Sequence, residues 1–168
     1  MKTLLILRHA KSSWDNPELR DFDRPLNLRG QKAARLMGNV IYKYGLQPDL
    51  FVSSPAKRAK QTVARVKETV QSNAKIKFDK RIYEASPATL RQVISELDNE
   101  IEKVLLVGHN PGLEGFIKFL TSETQVMPTA ALAELNLNIE KWTDISAGCG
   151  SLKLLIRPKD EIKKLTAG

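Results

Sequence analysis

The chain contains two histidines, and each stands just after a short apolar run. His9 follows Leu4-Leu5-Ile6-Leu7-Arg8, and His109 follows Val104-Leu105-Leu106-Val107-Gly108. A third run, Asp49-Leu50-Phe51-Val52-Ser53, leads into Ser54-Pro55-Ala56-Lys57-Arg58. Ser54 ahead of Pro55 reads as a helix N-cap with proline in the first turn, and Asn110-Pro111 repeats the device. Helix starts carry free N–H groups and the positive end of the dipole, so they attract anions. Arg58, one turn inside its helix, can reach back toward that end. Two imidazoles, Arg8, Arg58 and two helix starts form a set suited to phosphoryl transfer. A neutral imidazole can attack phosphorus and carry the group covalently. Arginines and N–H groups stabilise the charge on the equatorial oxygens, where most of the catalysis lies. The same arginines disfavour protonation of the attacking ring.

Taken singly, each feature has a plain structural explanation. A histidine beside a strand is usually structural, an arginine on a helix is usually solvated, and Ser-Pro or Asn-Pro usually marks only a helix start. What carries weight is that three separate strand ends hold compatible groups.

The elements that must position them alternate between strand and helix. The helical spacing of Ala33/Ala34, Met37, Val40/Ile41 and Tyr44 predicts an amphipathic helix over 29–44, with Gly45 at its C′ position. Ala56, Ala59, Val63, Val66 and Val70 form the stripe of a second helix. A weak strand is expected over 76–78. A helix carrying Leu90, Val93/Ile94, Leu97 and Ile101 follows, and another spans 111–121. Strands near 131–139 and 151–157 complete the pattern, with a polar tail behind Pro158. Such alternation indicates a three-layer α/β/α domain with a mostly parallel sheet, and the last two strands suggest an antiparallel edge. In open α/β sheets ligands gather at the carboxyl ends of the strands, where both histidines are placed.

Composition narrows the class. The 168 residues are 42% hydrophobic and 27% charged, ordinary for a globular protein and too apolar for disorder. The length suits one domain, with a core over about 3–160. One cysteine, Cys149, excludes an internal disulfide framework and fits a reducing compartment. No apolar run approaches the ~20 residues of a membrane span, and the N-terminus lacks a secretory pattern. A cytoplasmic protein is the default expectation. The net charge of +8 is dispersed rather than held in one tract, which favours a basic surface attractive to anionic substrates or acidic partners over a nucleic-acid footprint.

Other chemistries fit less well. A cysteine phosphatase would need an arginine six residues beyond Cys149, where Leu155 stands. Asp21-Phe22-Asp23 resembles an aspartyl-phosphate pair but follows no apolar strand. Gly148-Cys149-Gly150 lacks the third glycine of a dinucleotide loop, and there is no nucleotide P-loop. Two isolated histidines make a transition-metal centre improbable. No cofactor is expected.

Arg8-His9 after the first strand, Ser54 through Arg58 to Gln61-Thr62, and Gly108-His109-Asn110 together resemble the histidine phosphatase superfamily. The Arg8-to-Trp14 segment, the Asp23-Arg24-Pro25-Leu26 loop and Ile82-Tyr83-Glu84-Ala85 are similar to its SixA-like phosphohistidine phosphatases. The resemblance runs from residue 3 to about 160, including Pro128-Thr129-Ala130 and Gly148-Cys149-Gly150. It implies the phosphoglycerate-mutase-like fold, with His9 as phosphoryl acceptor and Arg8, Arg58 and His109 completing the phosphate pocket. Arg24 and Ser12 would be further phosphate or substrate contacts, and Asn110 would contribute a backbone N–H. Ala10 replaces the family's usual glycine after the Arg-His pair. The leaving-group acid of the mutase and phosphomonoesterase branches has no firm counterpart, Glu84 being the candidate. An imidazole leaving group needs less protonation than an alkoxide, so the expected substrate is phosphohistidine on a protein, such as a phosphotransfer domain. The expected protein uses no metal, binds no nucleic acid and sits on no membrane. A phosphomonoesterase or mutase for a small metabolite is the alternative, followed by a non-catalytic phosphate- or RNA-binding module.

Overall fold

The computed structural model describes residues 1–167. Six strands form one mixed sheet: β1 (Lys2–Arg8), β2 (Leu50–Ser53), β3 (Lys75–Phe78), β4 (Lys103–Gly108), β5 (Leu132–Leu137) and β6 (Gly150–Ile156). Their spatial order is β3-β2-β4-β1-β5-β6. The first four in that order run parallel, and β5 and β6 are antiparallel additions beside β1. The sheet is therefore parallel where the histidines sit and antiparallel at one edge, as the residue pattern predicts.

Among the described residues there are five helices flanking the sheet: α1 (Leu28–Lys43), α2 (Lys57–Val70), α3 (Pro87–Ser95), α4 (Gly112–Thr121) and α5 (Pro158–Ala167). Successive side chains of a strand point to opposite faces. Leu4 and Ile6 of β1 accordingly enter a core with α3 and α4, while Leu5 and Leu7 enter a second core with α1 and α2. All four are completely buried, which leaves three layers. Among the described residues no helix is long and apolar enough to cross a membrane.

Local chemistry sets the helix ends. Asn27 caps α1 by accepting the Gly30 N–H at 2.7 Å. At the other end Gly45 adopts φ +66°, with Gly45 N–H donating to Tyr42 O and Leu46 N–H to Ile41 O, the pair of bonds that closes a helix through a left-handed residue. Gly30 is needed for close approach: a Cβ there would stand 2.1 Å from the Lys11 carbonyl oxygen.

Four expectations fail, one being that Asn110 caps α4 with Pro111 in its first turn: Pro111 itself holds the N-cap position and the helix starts at Gly112. Ser54 does not cap α2, which starts at Lys57 after Ala56, so Pro55 lies outside the helix. Arg58 is consequently in the first turn rather than one turn inside. The helix expected to reach Ile101 stops at Ser95. Asp98 accepts the Glu100 and Ile101 N–H groups in a turn, and Leu97 and Ile101 reach the core from there. Their helical spacing thus reflects burial without helix. Pro158, read as the start of a polar tail, opens α5 instead, its fixed φ being suited to a first helical position.

Candidate active site

Strand pairing places the two histidines side by side. Arg8 is in register with Gly108, and Ser53 with Val107. The ladder then continues one residue further, with His9 N–H donating to Gly108 O at 3.1 Å and Ser54 N–H to Val107 O at 3.1 Å. His9, His109 and Ser54 therefore leave adjacent parallel strands at one rim. The imidazole centroids of His9 and His109 are 5.0 Å apart.

His9 Nδ1 lies 2.7 Å from the Ala10 carbonyl oxygen. That oxygen can only accept, so Nδ1 carries the hydrogen and Nε2 keeps its lone pair. Arg58 Nε donates toward Nε2 at 3.3 Å. Burial, joined by the Arg58 and Arg8 charges, lowers the His9 pKa to about 4, against the upward pull of the Ala10 hydrogen bond. The ring is neutral near pH 7, with its free nitrogen against a cation.

Arg58 is itself held from two sides. Its Nη1 donates to Asp21 O at 2.7 Å and its Nη2 to Asp21 Oδ2 at 2.9 Å. The same carboxylate oxygen accepts the Tyr83 hydroxyl at 2.6 Å. Those bonds, Tyr83's first and Arg58's next, hold the Asp21 carboxyl below the usual carboxylate range, against the upward push of its partial burial. Desolvation and the bond to Asp21 push the Tyr83 phenol up to about 12. Thr62 links the nucleophile's loop to α2: its hydroxyl accepts Ala10 N–H at 3.0 Å and donates to Arg58 O at 2.7 Å.

His109 Nε2 is 2.8 Å from Ser54 Oγ, and its buried Nδ1 has no partner among the described residues. Burial first, then His9 and Arg58, lowers its pKa to about 3. Tyr83 meets the ring edge-on, with centroids 5.4 Å apart. The residue expected to cap a helix therefore supports an imidazole instead.

Arg8 Nη1 donates to Met127 O at 3.1 Å, and its buried Nε has no partner among the described residues. Asn110 Nδ2 donates to the same carbonyl and to Glu114 Oε2, both at 2.9 Å. Arg8, Asn110 and Glu114 thus hold Met127 between the end of β1 and α4. Gly112, at the start of α4, permits close approach, since a Cβ there would lie 2.3 Å from the Ala85 carbonyl oxygen.

These groups border a cavity with two lobes. One, of about 340 Å³, is lined by Arg8, His9, Ser12, Arg58 and His109 among others. The second, of about 420 Å³, is lined by Tyr83, Glu84 and Ser86, and shares Asp21, Arg58, His109 and Asn110 with the first. Of the residues expected from the sequence, Arg8, His9, Ser12, Arg58, His109 and Asn110 converge on the first lobe, and Glu84 stands exposed at the second. Arg24 does not join them. It is buried, donates to Asn16 O and Leu19 O, and stacks on Trp14 with the guanidinium carbon 3.9 Å from the ring centroid. Its charge braces the 14–21 loop and lines neither lobe. Asp21 and Tyr83 were not among the expected site residues. Tyr83 lies within the quoted 82–85 motif, and Asp21 within the Asp-Phe-Asp segment set aside as an unsuitable nucleophile. Among the described residues no group of three or more His, Cys, Asp or Glu side chains could hold a metal ion.

Residues 4–100 match the histidine phosphatase superfamily, branch 1. The chain belongs to that superfamily. A curated relative, an uncharacterized chloroplastic protein of Arabidopsis thaliana, is 30% identical over 96% of this chain and 80% of its own length. An uncharacterized Mycobacterium tuberculosis protein is 29% identical over 87% of this chain and 96% of its own. Among solved structures, a candidate phosphohistidine phosphatase SixA of Agrobacterium tumefaciens superposes with a TM-score of 0.81 at 29% identity, covering 94% of this chain and 98% of that one. A mycobacterial glucosyl-3-phosphoglycerate phosphatase shares the fold at TM-score 0.71 and 18% identity, over 92% of this chain and 98% of its own. The histidine phosphatase in hand is SixA-like, with the six-stranded mixed sheet and five flanking helices of that fold.

Proposed function

We propose that this protein is a phosphatase that removes the phosphoryl group from phosphohistidine on a protein, through a covalent intermediate on His9. The observation that carries the reading is the His9 ring. Its Nδ1 hydrogen is fixed on Ala10 O, and its Nε2 lone pair is unprotonated and faces Arg58 in the smaller lobe. In the first step Nε2 attacks phosphorus in line, a P–Nε2 bond forms, and the P–N bond to the leaving imidazole breaks. That imidazole leaves neutral when its distal nitrogen carries a proton from solvent. In the second step water attacks phosphorus, the P–Nε2 bond breaks, and the water's proton passes out with the phosphate. Arg8 and Arg58 hold the equatorial oxygens in both steps. Ser54 Oγ already accepts Ala56 N–H, so its own hydrogen is available to His109 Nε2, leaving a hydrogen on His109 Nδ1 for a phosphoryl oxygen. No step calls for a metal ion. The SixA name of the Agrobacterium relative supports the substrate class.

The test is phosphate release from a phosphohistidine protein and from phosphomonoesters, with chelator present, for wild type and His9→Ala. Release chiefly from phosphohistidine, lost in His9→Ala, is expected. Release chiefly from an ester would favour the metabolite phosphatase reading, with Glu84 at the second lobe as its acid.

A further inference from the structure

The α5 helix and a group of cations near it remain outside the catalytic reading, and they meet on one surface. From the smaller lobe a groove of about 570 Å³ runs between the start of α1 and α5. Lys11 and Thr129 line both the lobe and the groove, so the two adjoin. Arg29, Ala33 and Ile162 line the groove and also a further depression of about 380 Å³, lined as well by Lys32 and Leu36. The first groove is edged by Lys11, Arg29, Arg157, Lys159 and Lys163, against the single carboxylate of Asp160. Among the described residues none of Lys11, Arg29, Lys32, Lys159 and Lys163 lies within ion-pair distance of a carboxylate. Elsewhere on the surface cations do find partners, as Arg81 does with Asp79 and Glu96. The groove is also lined by the apolar side chains of Ala33, Pro128, Pro158 and Ile162, the last 51% exposed.

We propose that this groove docks an acidic amphipathic helix of the phosphorylated protein, next to the phosphohistidine being cleaved. The inference rests on the protein-phosphohistidine reading above and names how the partner is held. Exposed apolar side chains set among unpaired cations match a helix with an apolar face flanked by carboxylates. The channel extends well past the phosphate lobe, more than a small phosphorylated metabolite would cover. No aromatic side chain lines it, so it offers no platform for stacking bases. Charges at such a rim act mainly on encounter and binding, so they belong to KM more than to kcat.

The experiment uses two helical peptides, each with one phosphohistidine, one bearing a Glu-rich face and the other Gln at those positions. Wild type is expected to favour the Glu peptide by roughly tenfold or more in kcat/KM at low salt, through KM, with the preference shrinking as salt rises. Arg29→Glu/Lys159→Glu/Lys163→Glu, all outside the phosphate lobe, should remove or invert that preference while hydrolysing phosphoramidate at the wild-type rate. Equal kcat/KM for the two peptides in wild type, or a preference surviving in the triple variant, would overturn the docking proposal while phosphohistidine cleavage stands. If the triple variant does not fold, Arg29→Glu alone and the wild-type salt series decide by the same criteria. A wild type that cleaves esters but neither phosphohistidine peptide would overturn the functional reading, and the docking proposal with it.

Discussion

Arg58 Nε donates toward His9 Nε2 across 3.3 Å, while the other two guanidinium nitrogens are held by the Asp21 carbonyl and carboxylate. In the proposed mechanism this one arginine therefore orients the attacking lone pair and presents a charge to the phosphoryl oxygens. Asp21 occupies part of that charge in the free protein, which makes phosphate binding a competition for Arg58.

Asp21→Asn is accordingly expected to bind inorganic phosphate more tightly than wild type. The side chain of Asp21 is 52% exposed, so solvent screening keeps the effect modest, roughly three- to tenfold in the inhibition constant. Product-inhibition kinetics measure it, and weaker phosphate binding in the variant would contradict the competition.

His9→Ala should lose about three orders of magnitude or more in turnover while keeping its melting temperature within a few degrees. Wild type quenched in alkaline denaturant, where the P–N bond survives, should retain label on His9 after reaction with a radiolabelled phosphohistidine substrate, and the variant should not. Label retained on another residue would displace His9 from its role.

In the proposed mechanism Arg58 stabilises the phosphoryl charge beside the nucleophile. Arg58→Ala should lower kcat by about 10²–10³ and weaken phosphate binding as well. A loss confined to KM would mean that the arginine serves binding alone.

Ser54→Ala tests the support of His109. With Nε2 left buried and unpaired, the ring can exchange tautomers, and kcat should fall by about 10- to 100-fold. Ser54→Thr, which restores the hydroxyl, should recover much of the loss. A Thr variant as poor as the Ala variant would mean that packing, not the hydrogen bond, matters at this position.

Acid should destabilise the ligand-free protein through both histidines. Each is held neutral in the fold, with pKa values lowered to about 4 for His9 and about 3 for His109, against 6.5 for the unfolded chain. The unfolded state therefore binds more protons as pH drops below 6.5, and stability falls until the folded values are passed. Denaturant unfolding at pH 7 and 4.5 should show a loss for wild type that shrinks in His9→Gln/His109→Gln. An identical loss in that variant would assign the acid sensitivity to other groups.

Much of the fold and site was legible because it depends on periodicity and order along the chain. The runs at 4–7, 50–53 and 104–107 mark buried strands by composition, and a residue just after a strand must emerge at the sheet's end. Arg8, His9, Arg58 and His109 could therefore be grouped before any coordinates. Errors arose where apolar spacing or proline was read as secondary structure. Leu97 and Ile101 keep helical spacing outside a helix, and Pro158 begins a helix where a polar tail was expected.

The amino-acid sequence alone determined the strand-helix alternation, the antiparallel edge and the set of groups at three strand ends, because backbone geometry ties side-chain period to element type and strand ends to loops. Only the tertiary structure decided which cation faces the nucleophile and which braces a loop. Arg24 and Arg58 have the same chemistry, yet one stacks on Trp14 and the other meets His9. Their partners come from segments brought together only when the layers pack: Asp21 meets Arg58 and Tyr83, and Ser54 meets His109. Hydrogen-bond geometry across such separations, rather than residue type, sets the tautomers and charges on which the proposed chemistry depends.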